Sequence, residues 1–175
     1  MTSLDLHDSL AYHEVQQFRQ IWIVLTVEFL AVLAWYSFIV QILLDEPFGA
    51  NPAPDILVLI ILAIFGIAFP LWFWVMSLEI QVTRTALKFR FFPFHRSWRE
   101  IPFDSIAHVK AVVYRPLWEY GGWGIRCGTK GMAYNVSGDW GVRVTLKNGK
   151  SFLLGSLRAE ELELVLQSKI HQREI

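Results

Sequence analysis

The sequence predicts a membrane α-helical hairpin followed by a mainly-β domain that is capped by a C-terminal α-helix. Two apolar stretches, Ile21 to Leu44 and Ile56 to Leu78, are 24 and 23 residues long and contain no Lys or Arg. About 20 apolar residues suffice to cross the hydrocarbon core of a bilayer. From Leu78 onward apolar and polar residues alternate, which is typical of strands with one buried face. The chain therefore divides into a membrane part and a part that folds in water.

The same patterns set the predicted boundaries. They are an N-terminal segment at residues 1–20, a first span at 21–44, a short loop at 45–55, a second span at 56–78 and the β-rich domain at 79–175. The first span is not read as a cleaved signal peptide, because its apolar run is too long and no A-x-A-like site follows it.

Charge predicts the orientation of the spans. Residues 1–79 hold one basic and eight acidic side chains, whereas residues 80–175 hold fifteen basic and eight acidic ones. The basic flank of a span stays cytoplasmic, so we expect both termini inside the cell, the 45–55 loop outside and the protein in the plasma membrane. Anionic lipid headgroups attract basic side chains near the surface. The candidate headgroup contacts are Arg84, Lys88, Arg90, Arg96 and Arg99.

Glu28 is the ionisable residue inside the first span. Ionisable side chains within spans are candidates for function because hydrocarbon disfavours their charge. Thr26, Ser37 and Gln41 lie near one stripe, and Glu28 points about 200° away from Thr26 at 100° per residue. One helix therefore builds no continuous polar path. Two interpretations stay open, a packing or interface residue and a residue that lines a pore formed by several copies.

Strands and one helix are predicted in the soluble part. A hairpin joins alternating residues 78–83 to residues 87–92. Leu162, Val165, Leu166 and Ile170 recur at helical spacing, and Ser156 is a suitable N-cap for that helix. The further strands are expected at Ser97–Ile101, Ile106–Tyr114, Gly122–Arg126, Met132–Val136, Gly141–Leu146 and Ser151–Leu154, the last two joined by Asn148-Gly149.

Several short motifs make the chain resemble a known group. They are residues 101–106 (IPFDSI), 120–126 (YGGWGIR), 133–138 (AYNVSG), 141–142 (GV) and 148–150 (NGK). In their order and spacing the chain resembles small prokaryotic membrane proteins with two spans followed by a bacterial pleckstrin-homology (PH)-like domain. The resemblance implies a PH-like domain of about seven antiparallel strands closed by a helix, held at the membrane. It implies no assigned activity.

A Gly-Trp cluster is the candidate recognition surface. Seven of the eleven glycines lie between Gly121 and Gly141, without the spacing or flanking elements of a nucleotide loop. In one interpretation the glycines permit tight turns and the tryptophan packs inside the domain. In the other, a ligand or partner meets aromatic and arginine side chains, which are common interface anchors. The candidate residues are Tyr120, Trp123, Arg126 and Tyr134.

No catalytic, cofactor or metal pattern is predicted. The histidines lack metal-ligand spacing, and a dyad of Cys127 with His108 rests on no motif. Nucleic-acid binding is disfavoured because the domain mixes both charge signs and lies against a membrane. A lipid enzyme is a third, weaker alternative, since no nucleophile and base stand out.

We therefore expect a non-enzymatic binding or scaffold module anchored at the cytoplasmic face. Its partner would be another protein, its own copy or lipid headgroups, without a cofactor. The alternative is an accessory or pore-forming subunit of an oligomeric transporter or channel, with Glu28 in the membrane region.

Overall fold

The computed structural model describes residues 10–128 and 130–172. The chain forms two units. The helical unit is Phe18–Met76, and the sheet unit contains the described residues on either side of it.

Two long helices make up the helical unit. Helix α1 is Ile21–Leu43 and helix α2 is Asp55–Val75. Both contain π-helical turns, at Ile39–Leu43 and Leu62–Ala68. The second helix ends three residues before the predicted boundary, because the chain enters a strand at Ser77.

Small residues on α1 face inward within the helical unit. Ala31, Ala34 and Ser37 are buried, one turn apart along the helix. The indole N–H of Trp35 donates to the carbonyl of Gly66 on α2, with 3.2 Å between the two atoms. Small side chains at such a face allow helix backbones to approach each other.

The first sheet contains four antiparallel strands in the order β1-β2-β3-β4. The alternation predicted from Leu78 onward gives β2 and β3 a buried face, with Leu78, Ile80 and Val82 inaccessible to solvent. The strands are β1 Tyr12–Gln17, β2 Ser77–Val82, β3 Ala86–Phe92 and β4 Arg99–Pro102.

Strand β1 lies in the segment to which the sequence analysis assigned no element. It pairs with β2 along its whole length, from Tyr12 opposite Val82 to Gln17 opposite Ser77. Its inward side chains include the polar Glu14 and Gln16, so its hydrophobic pattern gives no sign of a strand. The two helices are thus inserted between neighbouring strands of one sheet.

The second sheet contains five strands in the order β5-β8-β9-β7-β6. About seven antiparallel strands were expected. The described residues form nine, and β7 runs parallel to β9 because the β8–β9 hairpin returns between β5 and β7. The strands are β5 Ile106–Val113, β6 Gly124–Gly128, β7 Gly131–Asn135, β8 Trp140–Leu146 and β9 Ser151–Gly155.

Aromatic rings pack between the two sheets, and two helices flank the second one. Phe89 lies with its ring centroid 4.9 Å from that of Tyr134 and 5.6 Å from that of Phe152. Helix α3, Pro116–Tyr120, connects β5 to β6. Helix α4, Ala159–His171, contacts β5, buries Leu162 and Leu166 and uses the Glu163 carboxylate to accept the backbone N–H of Ala111 at 2.9 Å.

Candidate binding surfaces

The Gly-Trp cluster is divided between the core and the surface. Tyr120 and Tyr134 are each 4% exposed, whereas Trp123 is half-buried and Arg126 is exposed. Of the four predicted recognition residues, therefore, only Trp123 and Arg126 present substantial side-chain surface to a ligand.

Tyr120 is the last residue of helix α3 and its side chain is buried. Its ring meets that of Tyr114 edge to face, with centroids 5.9 Å apart, in a cluster with Ala133 and Leu153. Burial raises the pKa of the Tyr120 phenol and raises that of Tyr114 to about 12. Both rings therefore remain neutral and serve as core side chains.

Tyr134 faces the first sheet. The Arg99 guanidinium donates to its phenol oxygen at 2.9 Å and lies over its ring at 5.6 Å from the centroid. This contact links β4 to β7, so the tyrosine takes part in packing the two sheets.

Internal hydrogen bonds hold Trp123, just before strand β6, and Arg126 within that strand. The Trp123 indole N–H donates to the carbonyl of Gly138 at 2.9 Å, and the Arg126 Nε–H donates to the carbonyl of Trp123 at 3.0 Å. Asn135, which the sequence analysis did not single out, accepts the Gly124 N–H and donates to Tyr114 Oη. An Asn inside an apolar strand was the available signal for such a role. The bonds fit the structural interpretation and leave the Arg126 side chain at the surface.

Gly131 shows why the cluster is rich in glycine. Its φ is +100°, and a Cβ there would lie 2.3 Å from the carbonyl oxygen of Ser151. No other residue type fits without moving the backbone, which brings β7 against β9.

Lys88, Arg90 and Arg99, from the set of candidate headgroup residues, contact other side chains of the sheet unit. Lys88 pairs with Glu100 at 2.8 Å. Arg90 pairs with Glu79 at 2.8 Å, and Arg99 is the partner of Tyr134 already described.

Glu79 is surrounded by donors. Burial raises the pKa of its carboxyl group, but hydrogen bonds from His13 and Arg90 outweigh burial and leave that pKa below its ordinary value. Arg90 therefore has a local charge partner. Arg84, Arg96 and Arg99 are exposed, and of these Arg99 contacts Tyr134.

Glu28 points away from the packed face of α1. Its side chain is exposed, and within residues 10–128 and 130–172 it has no hydrogen-bond or ion-pair partner. It lies seven residues after Ile21, about 10 Å along the helix axis.

A buried polar network, missed by the sequence analysis, joins β1 to the start of α4. The Glu14 carboxylate accepts the hydroxyls of Tyr12 and Ser156, the latter at 2.6 Å, and the Leu157 N–H at 2.8 Å. Burial and the hydrogen bond to Glu14 raise the pKa of the Tyr12 phenol far above its usual range. Ser156 accepts the Arg158 N–H and precedes the helix, so it is not the N-cap that was predicted.

The two members of the Cys127–His108 pair considered in the sequence analysis lie on different strands. His108 on β5 and Cys127 on β6 lie on the two opposite edge strands of the second sheet, four strand spacings or about 19 Å apart. The described residues contain no group of three or more His, Cys, Asp or Glu placed to hold a metal ion.

Comparison with protein families gives one match. Residues 6–171 match the family described as a family of unknown function, DUF6141. The chain belongs to this family. No curated protein and no solved structure matches it.

Proposed function

We propose that this DUF6141 protein is a membrane-anchored, non-enzymatic binding module whose sheet unit has a PH-like fold. The observation that carries the proposal is the pairing of Gln17 with Ser77. Gln17 precedes α1 and Ser77 follows α2. Because the two residues are paired, both ends of the helical hairpin lie on the same side of the bilayer that it would cross.

The exposure of the helices supports a bilayer as the surrounding medium. Of the most apolar 18-residue stretch, only 22% is buried in α1 and 11% in α2. A core helix of a soluble protein would bury most of such a stretch. The charge distribution favours a cytoplasmic sheet unit and an external 45–55 loop.

The PH-like assignment draws on the sheet unit itself. Two sheets that pack through aromatic rings, with a C-terminal helix against the edge strand β5, resemble the arrangement that the sequence motifs imply. In this assignment the membrane hairpin is an insertion between the first two strands of the domain.

Binding, rather than catalysis, suits the polar residues of the sheet unit. Glu14, Ser156 and Asn135 are buried and bonded to one another or to the backbone. The exposed polar candidate in the Gly-Trp cluster is Arg126, next to the half-buried Trp123. We propose that this surface contacts a protein partner or a second copy, and that the basic residues near the bilayer contact lipid headgroups.

Anchoring is tested first. The full chain should stay in the membrane fraction after alkaline carbonate extraction. A control chain in which an Asn-Gly turn replaces residues 18–76 should be released, because the paired Gln17 and Ser77 can be joined by a two-residue turn. Release of the full chain as well would refute the proposal.

Binding is tested in native membranes with a photo-cross-linking residue at position 126. An adduct with a second polypeptide is expected, either a copy of the chain or another protein. The matched control places the same residue at Lys147, exposed on the β8–β9 loop. Adducts of equal yield from both positions, or from neither, would remove the Gly-Trp cluster as a binding surface.

A second candidate function is a subunit of an oligomeric transporter or channel. It is favoured by Glu28, which is exposed and has no hydrogen-bond or ion-pair partner among the described residues. An acidic side chain costs about 2.5–3.5 kcal/mol at the centre of a span, and less towards its ends. A neighbouring helix with a polar partner would reduce this cost. A defined oligomer in detergent, together with a flux that Glu28→Gln abolishes, is the expected result, and a monomeric particle without flux would eliminate this candidate.

A further inference from the structure

Large apolar side chains are exposed in the turn at residues 93–98, between β3 and β4, and at the adjoining end of β3. Phe94 is 56% exposed and Phe92, at the end of β3, is 40% exposed. His95 holds the turn in place through two hydrogen bonds. Its backbone N–H donates to the Phe91 carbonyl at 2.8 Å, and its ring Nδ1 accepts the backbone N–H of Phe91 at 3.2 Å. The exposed Phe94 ring thus belongs to a turn whose backbone is held in place, and Phe92 lies beside it on β3.

Connectivity places this turn near the end of α2. Ser77 follows Val75 by two peptide units, so their Cα atoms are at most about 7.6 Å apart. The register pairs Ser77 with Phe92, which adds about 5 Å. This bound needs only the covalent chain and the strand pairing, and it holds for any orientation of the sheet unit.

The ends of the helices carry the side chains expected at a membrane surface. Trp22 lies at the start of α1, and Trp72 and Trp74 lie near the end of α2, with 55%, 44% and 69% exposure. Tryptophan is enriched at the level of the headgroups. A bilayer that places these residues in its interface therefore has its surface close to Phe92.

Charge at the turn suits anionic headgroups. Arg96 is exposed, and Arg90 lies over the ring of Trp98, with its guanidinium carbon 4.7 Å from the centroid. Arg84 is the matched comparison, because it is also exposed but lies in the turn at the other end of the β2–β3 hairpin, about 17 Å along the strand from Ser77.

We propose that the 93–98 turn enters the headgroup region of the bilayer, with Phe94 against the acyl boundary and Arg96 among anionic headgroups. This inference rests on the proposed membrane anchoring. It assigns the lipid contact to one turn and separates Arg96 from Arg84, which the sequence placed in a single basic set.

The test uses the full chain in liposomes of phosphatidylcholine and phosphatidylglycerol. In a Cys127→Ser background, Phe94→Cys, Arg84→Cys and Ile64→Cys are each labelled with an environment-sensitive fluorophore. Positions 94 and 84 are exposed and 64 lies within α2. The label at 94 should show a blue-shifted emission and a larger loss of fluorescence to spin-labelled lipid than the label at 84.

Three results decide the matter. A label at 94 that is quenched no more than the label at 84 overturns the inference, while strong quenching at 64 leaves the anchoring intact. A label at 64 that spin-labelled lipid does not quench overturns the anchoring itself. Preserved elution volume and melting temperature of each variant show that the fold is retained.

The headgroup contact is tested by omitting phosphatidylglycerol. The label at position 94 should then lose part of its quenching, because the attraction to Arg96 is removed. Arg96→Gln should abolish this dependence on anionic lipid, whereas Arg84→Gln should keep it. Equal effects of both substitutions would overturn the assignment to Arg96.

Discussion

The helical unit and the sheet unit distribute polarity in opposite ways. In α1 the buried side chains include the small Ala34 and Ser37, while large apolar ones such as Phe29 face outward at 65% exposure. In the sheet unit the large apolar side chains are inside, and a buried network around Glu14 accompanies them. This difference fits the proposed membrane anchoring. In an apolar solvent, packing rather than burial of apolar surface joins helices, whereas in water a domain folds by burying its large apolar side chains.

The largest loss of stability is expected from a substitution that separates β7 from β9 in the second sheet. Gly131→Ala combines a positive φ with a Cβ 2.3 Å from a backbone oxygen. It should lower the free energy of unfolding by about 4 kcal/mol, from left-handed strain and steric overlap together. Chemical denaturation in detergent, followed by near-ultraviolet circular dichroism, measures the loss.

Gly149→Ala is the matched control. Its φ is +81°, but nothing lies within 4 Å of the added Cβ. It should cost only about 1 kcal/mol from backbone strain. Equal losses for the two alanines would show that the contact between β7 and β9 is not close.

Removal of the buried carboxylate should also destabilise the sheet unit. Glu14→Ala leaves the Ser156 hydroxyl and the Leu157 N–H without their acceptor. The expected loss is about 3 kcal/mol, visible as a lower melting temperature of the sheet unit. Val15→Ala, on the exposed face of the same strand, should change it little. A Glu14→Ala protein as stable as the Val15→Ala protein would contradict a role for β1 in closing the sheet.

The stability of the helical unit should depend on the size of the side chains where the two helices pack. Ala34→Leu adds volume at a position that is 2% exposed and should destabilise the helix pair by about 2 kcal/mol. Val32→Leu, at a position that is 64% exposed, should be neutral in lipid. Thermal unfolding in nanodiscs compares the two, and an equal response would place position 34 outside the helix contact.

The smallest expected effect is the pH dependence of stability that His95 contributes in the 93–98 turn. Burial, and to a lesser degree the nearby Arg99 charge, lower the pKa of His95 in the folded state. The unfolded chain therefore binds a proton more readily, and stability falls as the pH drops through the ordinary histidine pKa of about 6.5 towards the lowered one. His95→Asn keeps an acceptor for the Phe91 N–H but does not titrate. Its melting temperature should depend less on pH between about 7.5 and 5.5, and an unchanged profile would assign the dependence to another group.

The sequence predicted local features of both units well. The hairpin of β2 and β3 forms where Leu78, Ile80 and Val82 alternate with polar residues, because alternation is a local property of a half-buried strand. The amphipathic helix α4 buries Leu162 and Leu166, as its spacing indicates. A hairpin also forms at Asn148-Gly149, but the prediction of the tight type I′ turn that this pair favours was wrong. Only Gly149 of the two adopts a positive φ, and the backbone bond from Leu146 to Lys150 closes a three-residue loop.

The candidate surface was predicted only in part. Tyr120 and Tyr134 lie in the same region of sequence as Trp123 and Arg126, yet the tyrosines are in the core. Adjacency along the chain does not show which side of a twisted sheet a ring faces. Helix α3, which ends at Tyr120, is too short for its five residues to show a periodic pattern.

The sequence by itself determined two helices apolar enough to cross a bilayer, a basic and strand-rich C-terminal part, and a closing helix. Each of these is encoded by composition or spacing within a short window. Only the tertiary structure decided that β1 completes the first sheet and that the helices are an insertion within it. The physical reason is distance along the chain, since Glu14 finds Ser156 across 142 residues and Gln17 finds Ser77 across the whole helical unit.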